Sequence, residues 1–210
     1  MNILMVGIQG SGKGTQGKLL ASELGVHHIS TGEMFRAIDE NSKIGKEARK
    51  YMNKGVLVPT PIVTRLLKAL LKKKGVKKGV VLEGYPRDIE QVKLLQEFLI
   101  LDHVILLDIS DKEAQERLTG RRLCKSCNTN YNIYTEPKPE EEGICDKCGC
   151  KLIQRKDETV EAIRERIETY HEETEPLIEF YKNKGILIQT DGQKPIKEVH
   201  EDIIKLLGLA

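Results

Sequence analysis

Short apolar runs alternate with longer amphipathic stretches along most of this chain. Ile3 to Val6 is wholly apolar and ends at Gly7, the pattern of a strand buried on both faces. Lys13 to Leu24 reads as a helix stopped by Gly25, and Val26 to Ile29 as a second short strand. Glu33 to Asn53 is polar, and Gly45 divides it into two small helices. Thr60-Pro61 opens another helix, with threonine as N-cap and proline at the first position, running to about Lys74. Further strands are predicted at Gly79 to Leu82, Val104 to Leu107 and Gly185 to Ile188. Helices are predicted from Asp88 to about Phe98, from a cap at Asp111 to about Arg121, from Glu158 to about Lys182, and onward from Pro195.

Short buried strands separated by helices imply βαβ units and a parallel sheet. Residues 122 to 157 break the pattern. They hold five cysteines, four of them in two pairs, Pro137 and Pro139, and only scattered apolar side chains. This is an insertion with a small structure of its own.

Composition adds little to that picture. The chain has 210 residues, 39% hydrophobic and 31% charged, as in an ordinary globular domain. Nothing approaches the run of about 18 apolar residues that spans a bilayer. Met1 to Val6 has no basic start and no small-residue cleavage site, so a cytoplasmic location is expected. Thirty-four basic and 32 acidic side chains leave a net charge of +2, which gives no reason to expect a nucleic-acid or membrane partner. The arginines are unevenly placed: seven of ten lie at or after Arg87. Their planar forks suit phosphate.

Gly7-Ile8-Gln9-Gly10-Ser11-Gly12-Lys13-Gly14-Thr15 follows the first strand and opens the first helix. That is the context of a phosphate-binding loop, in which backbone N–H groups and a helix N-terminus converge on phosphate oxygens. Lys13 supplies a point charge for the β- and γ-phosphates. The general motif wants Ser or Thr directly after the lysine, and Gly14 stands there instead.

Cys124-x-x-Cys127 and Cys145-x-x-Cys148 are separated by 17 residues. Two such pairs at this spacing predict a tetrahedral zinc site with four thiolates. Four thiolates leave no open position, so the zinc is expected to be structural. Cys150 is left over and is expected to be a free thiol. The five histidines (His27, His28, His103, His171 and His200) form no metal-spacing pattern and are read as structural or surface residues.

Gly10 to Gln16 resembles the phosphate loop of the adenylate kinase family. Three further segments agree. Ser30 to Arg36 resembles the family's AMP-binding segment, and Glu83-Gly84-Tyr85-Pro86-Arg87 with Gln91 its second AMP-contacting segment. Gly120-Arg121-Arg122 and Arg155-Lys156-Asp157 resemble the two ends of its lid. The resemblance covers nearly the whole chain in order. It implies an α/β fold: a P-loop core with a five-stranded parallel sheet, a small helical AMP-binding insertion and a zinc-ribbon-like lid. The expected division is core at 1–29, 60–121 and 159–210, AMP-binding domain at 30–59, and lid at 122–158.

By the same resemblance, AMP is bound by Thr31, Arg36, Val56, Leu57, Val58, Gly84, Arg87 and Gln91. ATP is bound by Gly10, Ser11, Gly12, Lys13, Gly14, Thr15, Arg121, Tyr131 and Lys194. Arg155 and Arg166 reach the phosphates from the lid and the following helix. Lys13, Arg87, Arg121, Arg155 and Arg166 are the expected catalytic set. Glu83 stands where the family usually has aspartate, an acid that orients water around Mg²⁺. The family is expected to act as a monomer on ATP, AMP and ADP.

The chemistry suits these residues. A phosphate monoester has its second pKa near about 6, so AMP is largely dianionic at neutral pH and attacks without a general base. The protein must align two charged phosphates, neutralise the transferring group with Lys, Arg, N–H groups and Mg²⁺, and exclude water with a lid. Two other readings remain: a kinase for another monophosphate such as UMP or CMP, and a P-loop module whose zinc ribbon binds nucleic acid. Glu136, Glu140, Glu141 and Glu142 lie between the cysteine pairs and would repel a phosphate backbone.

Overall fold

A computed structural model describes residues 1–155 and 157–209. Lys156, expected at the end of the lid, lies outside them. Five strands form one parallel sheet: β1 (Asn2–Val6), β2 (His27–Ser30), β3 (Val80–Glu83), β4 (His103–Asp108) and β8 (Leu187–Asp191), in the order β2-β3-β1-β4-β8. Their side chains alternate between two cores. Leu4, Val6, Val80, Leu82, Val104 and Leu106 pack on one face with α4 (Thr60–Lys74), α5 (Ile89–Gln96) and α8 (Pro176–Asn183). Ile3, Met5, Val81, Ile105 and Leu107 pack on the other with α1 (Lys13–Glu23) and α9 (Ile196–Leu206). Helices on both faces explain why the three central strands, β3, β1 and β4, read as apolar runs.

The helix boundaries differ from the sequence expectation where serine competes for the cap. The break between α2 (Thr31–Ala37) and α3 (Lys43–Met52) falls before Ser42, whose hydroxyl accepts from the Gly45 N–H at 3.0 Å. Gly45 therefore lies inside α3 and does not divide the helices. Ser110, not Asp111, caps α6 (Asp111–Gly120), accepting from Glu113 N at 3.2 Å. Pro59 occupies the cap position of α4, so Thr60 is its first residue. The predicted helix after the lid is not one regular rod. It comprises α7 (Val160–Thr169), a π-helical turn at Tyr170–Thr174, and α8.

The insertion forms a second, three-stranded antiparallel sheet: β5 (Arg121–Cys124), β6 (Asn130–Asn132) and β7 (Leu152–Ile153), in the order β6-β5-β7. No helix among the described residues is long and apolar enough to cross a membrane.

Candidate active site and metal centre

The carboxyl ends of the sheet strands open into a cleft of about 1060 Å³. This is where open parallel sheets bind ligands. The phosphate loop, the start of α2, the turn after β3, residues 52–58, the lid sheet and the loop after β8 all border it. Every residue expected to bind ATP or AMP lines this one cavity.

The glycine that departs from the general phosphate-loop motif has a steric reason. A β-carbon on Gly14 would lie 3.3 Å from Oε2 of Glu83. The β-carbon of a Ser or Thr there would crowd this carboxylate, which would have to give way by a few tenths of an ångström; the hydroxyl residue stands one place later, at Thr15. Glu83 is largely buried, which by itself would favour the neutral acid. His28, with Nε2 3.3 Å from Oε2, and the charges of Lys13 and Arg87 outweigh that, lowering the pKa to about 2. The Lys13 ammonium does not project freely into the cleft. It folds back on the loop, donating to the carbonyls of Gly7 at 2.6 Å and Ile8 at 2.7 Å. Burial, with Arg87 and Arg121 adding repulsion, lowers its pKa to about 8 despite the attraction of Glu83.

In the turn after β3, Arg87 donates from Nε to the Gly84 carbonyl at 2.9 Å, and the Thr31 hydroxyl donates to the same oxygen at 2.8 Å. Gln91 sits in the first turn of α5, its backbone N–H bonded to the Asp88 side chain at 2.7 Å. Arg36 and Arg166 face Asp157, which accepts from Arg166 Nη2 at 2.6 Å. Burial and the charges of Arg121 and Arg36 lower the Arg155 pKa to about 10.

Sequence reasoning missed the carboxylate that organises the lid arginines. The Glu158 side chain has 0% exposure and is ion-paired with Arg121 and, at 3.7 Å, with Arg155. No motif marks it, because its meaning comes from the outgoing strand of the lid folding beside the incoming one. Two expected ATP residues are also engaged elsewhere. The Tyr131 hydroxyl accepts from Asp146 N at 3.1 Å and lies 3.6 Å from Cys145 Sγ, inside the lid. The Lys194 ammonium donates to Asp202 on α9 at 2.7 Å.

The four expected cysteines form one cluster with their sulfurs all within 4.8 Å of one another. Cys124 and Cys148 sulfurs are 3.4 Å apart, and those of Cys127 and Cys145 3.5 Å. A tetrahedral tetrathiolate with bonds of about 2.3 Å needs sulfurs about 3.8 Å apart, so this donor set can hold a metal ion after a small expansion. The two Cys-x-x-Cys turns match: each ends in a left-handed residue, Asn128 at φ 55° and Gly149 at φ 68°. Cys150 lies outside the cluster.

One family model, that of adenylate kinase, matches residues 5–186. The chain belongs to the adenylate kinase family. It is 41% identical to the adenylate kinase of Caldicellulosiruptor saccharolyticus over the whole of both chains. It is 44% identical to that of Clostridium botulinum, over 99% of each chain. It is also 44% identical to that of Caldanaerobacter subterraneus subsp. tengcongensis, over 99% of this chain and 96% of the relative. As an adenylate kinase it is a nucleoside monophosphate kinase, interconverting ATP plus AMP with two ADP.

Proposed function

We propose that phosphoryl transfer takes place where Lys13, Arg36, Arg87, Arg121, Arg155 and Arg166 converge on the cleft. That convergence is the observation that carries the reading. These six cations outnumber the three acids set among them, Glu83, Asp157 and Glu158, and the phosphates of the two nucleotides supply the remaining negative charge. Gly10 to Thr15 offer N–H groups to the ATP phosphates. Lys13 exchanges its loop carbonyls for a phosphate oxygen. Arg87 and Arg36 hold the AMP phosphate, with Thr31, residues 56–58, Gly84 and Gln91 around the nucleoside. Arg121, Arg155 and Arg166 meet the transferring group. Tyr131 and Lys194 border the ATP side through their position in the cleft. Mg²⁺, when bound with ATP, neutralises phosphate charge, and the ionised Glu83 is the acid beside the loop that orients its water shell.

The domain roles follow the same reading: core at 1–29, 60–121 and 159–210, AMP binding at 30–59, and a water-excluding lid at 122–158. The metal in the lid is zinc, chosen by four soft thiolates in tetrahedral placement and held for structure. The enzyme acts as a cytoplasmic monomer, as the family resemblance implies. The exposed acidic run at Glu140, Glu141 and Glu142 disfavours a nucleic-acid role for the lid.

A coupled assay of ADP formation, with ATP and each monophosphate in turn, tests the assignment. AMP is expected to exceed UMP, CMP and GMP in kcat/KM. Equal or better turnover with another monophosphate sinks it.

A further inference from the structure

A hydroxyl set between a backbone amide and a metal-bound sulfur has no choice about its one hydrogen. The amide N–H can only donate, so the oxygen must accept from it. A sulfur that ligates a metal has given up its proton, so it can only accept. The hydroxyl hydrogen then belongs to the sulfur.

Tyr131 is placed in this way. It is the middle residue of β6 and is 5% exposed. Its hydroxyl accepts from the Asp146 N–H at 3.1 Å and lies 3.6 Å from Cys145 Sγ, within reach for an acceptor as large as sulfur. Cys145 and Asp146 open the second Cys-x-x-Cys turn. One phenol therefore holds that turn by its backbone and by its ligand atom together. Cys145 is also the buried ligand of its pair, where water cannot take the place of a lost partner, whereas Cys148 is exposed.

We propose that Tyr131 is a positioning residue of the metal centre, whose hydroxyl donates to the Cys145 thiolate. The inference rests on the reading of the four cysteines as a zinc site. Tyr131 borders the nucleotide cleft, but with its hydrogen committed to sulfur the hydroxyl has none to give a nucleotide. Partners that orient a ligand from one shell out are worth about ten- to a hundredfold in metal affinity.

The test uses the full chain loaded with Zn²⁺, or with Co²⁺ as a coloured substitute. Tyr131→Phe removes only the hydroxyl. Its zinc affinity, measured by competition with a chelator, is expected to fall about tenfold or more. A hydrogen bond lowers the energy of sulfur lone pairs, so the thiolate-to-cobalt charge-transfer band should move to longer wavelength in this variant. Leu152→Ala, at a half-buried residue packed on the same cluster, is the control for packing. It should lower the melting temperature and leave the band in place. Parent protein loaded with NMR-active cadmium reads the bond without any substitution: the Tyr131 hydroxyl proton should exchange slowly and show a coupling to the metal. If the parent binds no zinc, the cysteines are not a metal site and the proposal falls with that reading. If the parent binds zinc and Tyr131→Phe keeps its affinity within twofold and its band position, the hydroxyl contact alone is refuted. A weakened affinity with an unmoved band, an equal band shift in Leu152→Ala, or no metal-coupled hydroxyl proton in the cadmium form refutes it equally.

Discussion

Asp157 and Arg166 are joined by a 2.6 Å bond across nine residues of chain, and the next residue, Glu158, takes Arg121 and Arg155. Two adjacent acids at the end of the lid thus divide the cleft arginines between them. Glu158→Gln keeps the shape and removes the charge, leaving two guanidiniums against a neutral amide. Removing one partner of a buried pair costs on the order of 3 kcal/mol. For a chain of this size that lowers the melting temperature by roughly 6–12 °C. Turnover should fall as well, because both arginines lose their alignment. Calorimetry and steady-state kinetics on the one variant check both, and a change in neither would show that the pairing is idle.

Lys13 links a pH dependence to ATP binding. Its pKa of about 8 means that the ammonium is progressively lost above that pH. A neutral amine offers phosphate no charge, so ATP affinity should decline as pH rises from 8 toward 10. Lys13→Arg, whose guanidinium stays charged, should flatten that decline even if it binds less well. Lys13→Met should lose about a hundredfold or more in kcat, the scale for one preorganised donor. Titration calorimetry across this pH range gives the first result, and near-normal turnover of Lys13→Met would refute the second.

His171 ties the π-helical turn to α6. Its Nδ1 lies 2.8 Å from Glu175 and its Nε2 3.0 Å from Asp111. The Glu175 bond raises the imidazole pKa by more than desolvation lowers it, and Asp111 adds to the rise. A raised folded-state pKa adds stability that is full below the unfolded value of about 6.5 and disappears as pH climbs through the folded one. The group is partly exposed, so the effect is small. Melting curves from pH 5.5 to 9 should show the parent losing its advantage over His171→Gln as pH rises. An advantage that grows with pH would reverse the assignment.

The metal should hold the lid rather than perform chemistry. Among the described residues, 122–157 have only a small buried cluster, with Cys124, Tyr131 and Cys145 at its centre. Ordering their backbone costs about 1–2 kcal/mol per residue, more than that cluster returns. Purified enzyme should carry one zinc per chain. Its removal should lower the melting temperature while leaving substantial activity at moderate temperature. Cys124→Ser and Cys145→Ser, at the buried positions, should be more damaging than changes at the exposed Cys127 and Cys148. Zinc-free enzyme as heat-stable as the loaded form would refute this role.

Much of this was legible before any coordinates, for identifiable reasons. The strands are buried on both faces, so Ile3 to Val6 and Val104 to Leu107 carry unbroken apolar signals. The phosphate loop and the cysteine pairs are local patterns with fixed spacing. What escaped depends on distant parts meeting. Glu158 is an ordinary acid until the lid folds back to Arg121. The fold-back of Lys13 onto the carbonyls of Gly7 and Ile8 depends on the path of the loop, which its sequence pattern does not specify. Ser42 and Ser110 displaced the expected helix starts at Gly45 and Asp111, because a hydroxyl three residues and one residue upstream already satisfied the first turn.

The lid leaves the core at Arg121 and returns at Arg155, and β5 and β7 pair so that Leu123 faces Ile153 and Cys124 faces Leu152. Its two ends are therefore neighbours before the core is reached. A segment attached in this way is interchangeable: a longer, shorter or metal-free version could be spliced between the same two arginines without altering the order of the main sheet. Variation in heat tolerance among such enzymes can then accumulate in a replaceable module, while the phosphate loop and its partners stay as they are.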